Sequence, residues 1–160
     1  MSKLYATIGI CRSGKSTYCN QWVLEKPGRV KVCGDDIRLA LTGERFNSHV
    51  EPYISAIKST MIKTLLLGGF EVIVDGTHTT ERSIKQILQI DKNAQFIVFD
   101  THPQTCRERA KATNQEDLYP VIDRMYDQYM DLRYMDAPRY DIQESINRIR
   151  AKIVENRIQN

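Results

Sequence analysis

The stretch that decides the fold is Gly9-Ile-Cys-Arg-Ser-Gly-Lys-Ser16, which matches the pattern G-x-x-x-x-G-K-[ST] at every defined position. The apolar run Leu4–Ile8 before it predicts a buried strand, and the residues from about Lys15 to Leu24 predict a helix. A strand, a glycine-rich turn and a helix in this order are typical of a loop that binds the phosphates of a nucleotide. The alternative, a glycine turn followed by an exposed Lys-Ser pair, is disfavoured by this context.

Each residue type in this phosphate loop (Gly9–Ser16) has a physical role. Gly9 and Gly14 permit backbone conformations in which successive N–H groups point inward at phosphate oxygens. Lys15 places a cation on the β- and γ-phosphates, and the Ser16 hydroxyl is a hard ligand for Mg²⁺. We therefore expect a nucleoside triphosphate with Mg²⁺, bound by residues of the loop and of the first helical turn: Gly9, Arg12, Ser13, Gly14, Lys15, Ser16 and Thr17.

Short apolar runs alternate with amphipathic stretches along the rest of the chain. They predict strands at Arg29–Cys33, Phe70–Asp75 and Gln95–Phe99, and helices at Asp36–Leu41, Val50–Leu67 and Thr80–Ile90. The C-terminal third has helical spacing, with a fifth strand within Ala151–Ile158 as the alternative. Strands that alternate with helices form right-handed βαβ units, so we expect an α/β fold with a mostly parallel sheet of four or five strands.

Composition is that of an ordinary globular domain. The 160 residues, 41% hydrophobic and 27% charged, predict one domain over residues 1–160. No run approaches the roughly 18 apolar residues of a membrane span, and the first residues do not form a signal peptide, so we expect a cytoplasmic protein without a membrane partner. The net charge of +3 is a mild basic excess, and the four scattered cysteines lack zinc spacing.

A second motif, Gly34-Asp-Asp-Ile-Arg38, follows the second predicted strand. The carboxyl ends of parallel strands face one crevice, so this motif is expected beside the phosphate loop. Asp35 and Arg38 are three residues apart and lie on one side of a helical turn. There Asp35 can take the proton from an attacking hydroxyl, and Arg38 can hold an anionic group of the acceptor. Helix capping, the alternative, explains one aspartate but not two with an arginine.

The third motif ends the third strand with an acid, Val72-Ile-Val-Asp75, which is the Walker-B pattern. We expect Asp75 to orient Mg²⁺ directly or through water, the alternative being an acid in an ordinary Asp-Gly turn. Two other functions are excluded. A phosphatase needs an acid where Ile73 stands, and a GTPase needs a lysine that Asn114-Gln-Glu-Asp117 lacks.

Basic residues follow the fourth strand at Arg107, Arg109 and Lys111. In phosphotransferases a mobile lid brings arginines over the transferring phosphate, which predicts a lid at about residues 107–118 with Arg109 as its catalytic arginine. A solvated helix face is the alternative. Cys11 lies inside the phosphate loop, where positive charge is expected to lower the pKa of its thiol.

These motifs together resemble the kinase domain of bacteriophage-type 5′-hydroxyl polynucleotide kinases, in the adenylate-kinase-like branch of P-loop kinases. The resemblance covers about residues 3 to 130. It is carried by the phosphate loop through Thr17 and by four later stretches: Asp35-Asp-Ile-Arg38, Asp75-Gly-Thr-His-Thr-Thr-Glu-Arg82, the Phe99-Asp-(x)₈-Arg109 spacing and Pro120-Val-Ile-Asp-Arg-Met-Tyr126.

The resemblance implies a three-layer P-loop fold with a helical lid, ATP with Mg²⁺ as donor, and the 5′-hydroxyl end of DNA or RNA as acceptor. It implies that Lys15 and Ser16 bind the donor and that Arg109 is a lid arginine. On the acceptor side, it implies that Asp35 is the general base and that Arg38 binds an acceptor phosphate.

The chain departs from the family pattern at three places. Thr113 stands where relatives commonly carry a second lid arginine, and His78 stands where they often have asparagine. Cys11 and Arg12 replace the usual Pro-Gly of the loop. Two alternatives therefore stay open: a small-molecule or nucleotide kinase of the same branch, which the weak basic charge favours, and a non-catalytic ATP-binding module.

Overall fold

A computed structural model describes residues 2–133 and 141–158 of the chain. Its four strands are β1 (Lys3–Ile8), β2 (Arg29–Cys33), β3 (Glu71–Asp75) and β4 (Gln95–Val98). They pair in parallel in the order β2-β3-β1-β4. Cys33 lies opposite Asp75, and Ile8 lies opposite Val98, so the carboxyl ends of the strands meet at one edge of the sheet. The predicted parallel α/β sheet is confirmed.

The helices of the described residues are α1 (Lys15–Leu24), α2 (Gly34–Thr42), α3 (Glu51–Leu67), α4 (Glu81–Ile90), α5 (Pro103–Lys111), α6 (Tyr119–Arg133) and α7 (Ile142–Ile158), with a 3₁₀ turn at Glu116–Leu118. Ala151–Ile158 is therefore helical, and the alternative of a fifth strand there is wrong. The predicted lid region, 107–118, comprises the end of α5, a turn and the 3₁₀ turn.

The sheet separates two apolar clusters and so gives the three layers. One face carries Tyr5, Ile73 and Ile97, which pack with Cys19 and Trp22 of α1. Alternate residues of the same strands face the larger cluster, which the later helices complete. Burial on both faces explains why the two central strands, β1 and β3, are largely apolar in the sequence.

Helix α2 begins two residues earlier than predicted, at Gly34 rather than Asp36. Its N-cap is Cys33, and no side chain caps the helix. The capping interpretation of the two aspartates is therefore wrong. Both carboxylates lie in the first turn, where their negative charge interacts favourably with the positive end of the helix dipole.

No helix within residues 2–133 and 141–158 is both long and apolar enough to cross a bilayer.

Candidate functional site

The phosphate loop follows β1 and turns sharply into α1. Arg12 has φ 66° and Gly14 has φ 101°, both in the left-handed region. A Cβ on Gly9 would lie 2.8 Å from Ser13 Oγ and 2.9 Å from the Phe99 carbonyl oxygen. Crowding thus requires glycine at position 9, and the left-handed backbone favours glycine at position 14. The predicted loop geometry is present.

Lys15 lies at the centre of the loop with only 7% of its surface exposed. Its Nζ donates to the Ile10 carbonyl oxygen at 2.6 Å and to Ser13 Oγ at 3.2 Å. Burial lowers the pKa of the ammonium, and the nearby Asp75 carboxylate opposes that shift. An ammonium has three N–H donors, so one remains for a ligand after these two bonds.

Asp75 ends β3 behind the loop and is 6% exposed. Its Oδ2 is buried and has no hydrogen-bond partner among the described residues. A buried carboxylate oxygen in this state is costly unless a cation or its bound water satisfies it. The structure therefore fits Mg²⁺ between Asp75 and the exposed Ser16 hydroxyl at the start of α1. The described residues contain no cluster of three or more acidic, histidine or cysteine ligands, so the remaining ligands would be phosphate oxygens and water.

Two arginines join the loop to the predicted lid. Arg109 Nη1 donates to the Arg12 carbonyl oxygen at 3.1 Å, and Arg12 Nη2 donates to the Arg109 carbonyl oxygen at 2.9 Å. The same Arg12 nitrogen donates to Thr113 Oγ1 at 2.8 Å. Arg109 thus lies against the loop as predicted, whereas Arg107 pairs with Asp123 of α6. Sequence reasoning missed the role of Thr113, which accepts a hydrogen bond from the loop.

Asp35 and Arg38 are brought together on α2, as the spacing predicts. Arg38 Nη1 donates to Asp35 Oδ1 at 2.7 Å. Arg38 also donates to both carboxylate oxygens of Glu51, from Nε at 2.6 Å and from Nη2 at 3.0 Å. A guanidinium has five N–H groups, so one on each terminal nitrogen remains after these bonds. These two N–H groups are free to bind an anionic group such as a phosphate or carboxylate.

Glu51 is the functional candidate that sequence reasoning missed. It lies 13 residues from Arg38 at the start of α3, and no motif specifies the intervening chain. Hydrogen bonding to Arg38 holds the pKa of the Glu51 carboxyl below its usual range, which keeps the pair charged. Asp36 is not part of this group, since its carboxylate pairs with Lys31 at 2.9 Å.

Asp35 lies close enough to the phosphate loop for its charge to act on the Cys11 thiol. Its side chain is 71% exposed. The prediction that the pKa of Cys11 is lowered is wrong. Burial raises the pKa of this thiol by more than Lys15 and Arg12 lower it, and the extent of burial is not visible in the sequence.

His78 lies beneath the edge where β1 and β3 end. It is buried with φ 43°, and its Nδ1 donates to the Thr7 carbonyl oxygen at 2.7 Å. Burial lowers the pKa of His78 to about 4. The ring lies so near Gly76 that a Cβ there would meet its Cε1 at 2.7 Å. The left-handed backbone at His78 is a conformation that asparagine also adopts readily.

Comparison with solved structures shows which folds are similar. One chain of the Pnkp1/Rnl/Hen1 RNA repair complex is 20% identical and has a TM-score of 0.74, covering 88% of this chain and 49% of that one. A chain from a second structure of the Pnkp1/Rnl/Hen1 complex is 27% identical with a TM-score of 0.62, covering 68% and 38%. The chain thus spans half or less of the length of these relatives.

A complete kinase has the same fold. The gluconokinase from Sinorhizobium meliloti 1021 is 15% identical with a TM-score of 0.58, and the similarity covers 96% of this chain and 94% of the gluconokinase. No curated protein matches the chain in sequence.

The sequence itself matches one family model, described as an AAA domain, over residues 4–132. This match spans every motif of the site, from the strand before the phosphate loop to the end of α6. Since the sheet, the loop and the structural relatives agree with it, the chain belongs to this AAA-domain family and has an α/β P-loop kinase fold.

Proposed function

We propose that the chain is an ATP-dependent polynucleotide 5′-hydroxyl kinase, which transfers the γ-phosphate of ATP to the 5′-hydroxyl end of DNA or RNA. One observation carries the proposal: Arg38 is held by Asp35 and Glu51, and one N–H group on each of its terminal nitrogens is left unbonded. A kinase whose acceptor carries a phosphate near its hydroxyl needs such a cation beside its base. The likeness to chains of an RNA repair complex supports the same acceptor.

The donor side binds ATP. Backbone N–H groups of the loop and of the first turn of α1, from Gly9 to Thr17, surround the phosphates, and the free N–H of Lys15 reaches the β- and γ-phosphates. Ser16 and Asp75 would hold Mg²⁺, which would neutralise charge on those phosphates. Arg109 exchanges its bond to the Arg12 carbonyl for the γ-phosphoryl oxygens, in a lid formed by residues 107–118.

The acceptor side performs the proton transfer. Asp35 accepts the proton of the 5′-hydroxyl as that oxygen attacks the γ-phosphorus, the new O–P bond forms, and the bond to the β–γ bridging oxygen breaks to release ADP. Because most of the Asp35 side chain is exposed, its second oxygen is free to meet the substrate while the first stays on Arg38.

The test is transfer of label from γ-labelled ATP to a 5′-hydroxyl oligonucleotide. We expect Asp35→Asn to lower kcat by about 10²- to 10⁴-fold with ATP affinity unchanged, because only the base is lost. Asp36→Asn is the matched control, since Asp36 pairs with Lys31 and is expected to leave the rate unchanged. A normal rate in Asp35→Asn would show that Asp35 is not the base.

A second candidate is a small-molecule kinase. The likeness to a gluconokinase over nearly its whole length and the small net charge favour it. A panel of acceptors separates the two: an oligonucleotide, a nucleoside, a nucleoside monophosphate and gluconate. Transfer to gluconate or a mononucleotide in preference to the oligonucleotide would favour the second candidate.

A further inference from the structure

Lys58 occupies a place in α3 where the pattern demands an apolar residue. The face of α3 that meets the sheet carries Glu51, Ile54, Lys58 and Ile62, at steps of three and four residues. Ile54 and Ile62 are buried, and Lys58 between them is half-buried. A lysine in a buried stripe loses hydration and gains nothing from the apolar packing around it.

No carboxylate compensates this cost. Within residues 2–133 and 141–158, Lys58 has no ion-pair or hydrogen-bond partner. Burial lowers the pKa of the ammonium, and the positive charge of Arg38, which is paired with Asp35 and Glu51, lowers it further. Helical side chains lean toward the N-terminus of their helix, which is the end of α3 where Glu51 holds Arg38. An unpaired half-buried cation is suited to an anion.

A groove of about 380 Å³ runs between α3 and α4 with Lys58 in its wall. None of the described residues that line it carries a carboxylate. Its polar groups are ammonium, hydroxyl and amide, from Ser55, Lys58, Ser59, Lys63, Gln86 and Gln89. Lys63 lies five residues beyond Lys58, about 7.5 Å further along the axis of α3. This lining suits the sugar-phosphate backbone of a single strand.

We propose that Lys58 binds a backbone phosphate of the acceptor strand next to the one held by Arg38, and that the strand continues along the groove between α3 and α4. The inference rests on the proposed function and specifies its substrate: an acceptor with more than one phosphate on the 3′ side of the reacting nucleoside. Lys58 is a binding residue and takes no part in proton transfer.

The test compares wild type with Lys58→Met, which keeps the length of the side chain and removes its charge. We expect KM for a 5′-hydroxyl oligonucleotide to rise about tenfold or more, with kcat and KM for ATP unchanged. By fluorescence anisotropy, the slope of log affinity for the same oligonucleotide against log salt should fall by about one phosphate contact. KM for a nucleoside without phosphate should not change, which a merely structural role would not predict.

Two control variants complete the design. Lys58→Arg is expected to restore most of the affinity, since it keeps the charge. Lys3→Met removes an exposed lysine at the amino end of β1, at the opposite edge of the sheet, and should leave KM and the salt slope unchanged.

Failure of this inference is distinct from failure of the proposed function. If wild type transfers label to the oligonucleotide and Lys58→Met has the same KM and salt slope, the inference is overturned and the kinase assignment stands. If wild type transfers no label, the kinase assignment fails, and the anisotropy comparison still decides the role of Lys58. Absence of oligonucleotide binding by wild type overturns the inference as well.

Discussion

The donor and acceptor sides of the site are held in different ways. On the donor side, Lys15 is 7% exposed and its ammonium bonds to a backbone carbonyl and a hydroxyl of its own loop. On the acceptor side, Asp35 is 71% exposed at its side chain, and Arg38 is held by carboxylates on two helices. Contacts within eight consecutive residues hold Lys15, whereas ion pairs between the side chains of two helices hold Arg38.

This difference predicts how each side responds to change. A change in the loop acts on every reaction of the enzyme, because all acceptors share the donor. A change to Arg38 or Glu51 is expected to act on those acceptors that carry a phosphate for Arg38. Kinetics with several acceptors therefore separate the two sides more clearly than stability measurements do.

The largest of three expected effects concerns Lys15, on the donor side. We expect Lys15→Met to lower kcat by about a thousandfold for every acceptor, because the cation on the transferring phosphoryl group is lost from a buried position. Label transfer from γ-labelled ATP to the oligonucleotide and to a nucleoside measures this loss. Lys26→Met, which breaks a surface pair with Glu71 at the start of β3, is the control and should keep the wild-type rate. A loss confined to one acceptor would contradict the assignment of Lys15 to the donor.

The next effect concerns His78, which lies beneath the edge of the sheet where β1 and β3 end. The pKa of this histidine is about 4 in the folded chain and about 6.5 in the unfolded chain, so the unfolded state binds more protons between these values. Stability is therefore lost as pH falls through 6.5, and we expect the free energy of unfolding to drop by about 2 kcal/mol between pH 7 and pH 5 from this group. Urea unfolding at the two pH values measures it.

The control for this effect is His78→Asn. Asparagine accepts the left-handed backbone and does not titrate, so the variant should lose less stability between pH 7 and pH 5 than wild type, whatever its stability at pH 7. Equal losses in both proteins would place the acid sensitivity elsewhere.

The smallest of these three effects concerns Glu51. Glu51→Gln replaces a charged two-point partner of Arg38 with a neutral amide, and we expect KM for the oligonucleotide to rise about tenfold with KM for ATP unchanged. Glu44→Gln, in the segment between α2 and α3 outside this group, is the control. An equal rise in KM for a nucleoside without phosphate would show that Glu51 does not act through the binding of phosphate by Arg38.

The features that the sequence predicts, and those that it misses, follow the same division between contiguous residues and contacts between separate chain segments. The phosphate loop, Asp75 and the parallel sheet were predicted because each depends on contiguous residues, and strand and helix ends were within two residues. Glu51 and the bond from Arg12 to Thr113 were missed because they depend on how chain segments 43–50 and 112–118 turn. The pKa of Cys11 was predicted in the wrong direction because sequence shows nearby charges and not burial.

The order of the sheet has a consequence for how such a protein can diversify. Strands β2 and β3 are neighbours, and the chain that connects them, residues 34–67, carries the whole ion-pair group and Lys58. The phosphate loop follows β1, on the other side of β3. Under the proposed function, exchanging this connection for that of another kinase of the same architecture is expected to change the acceptor and leave ATP binding unchanged.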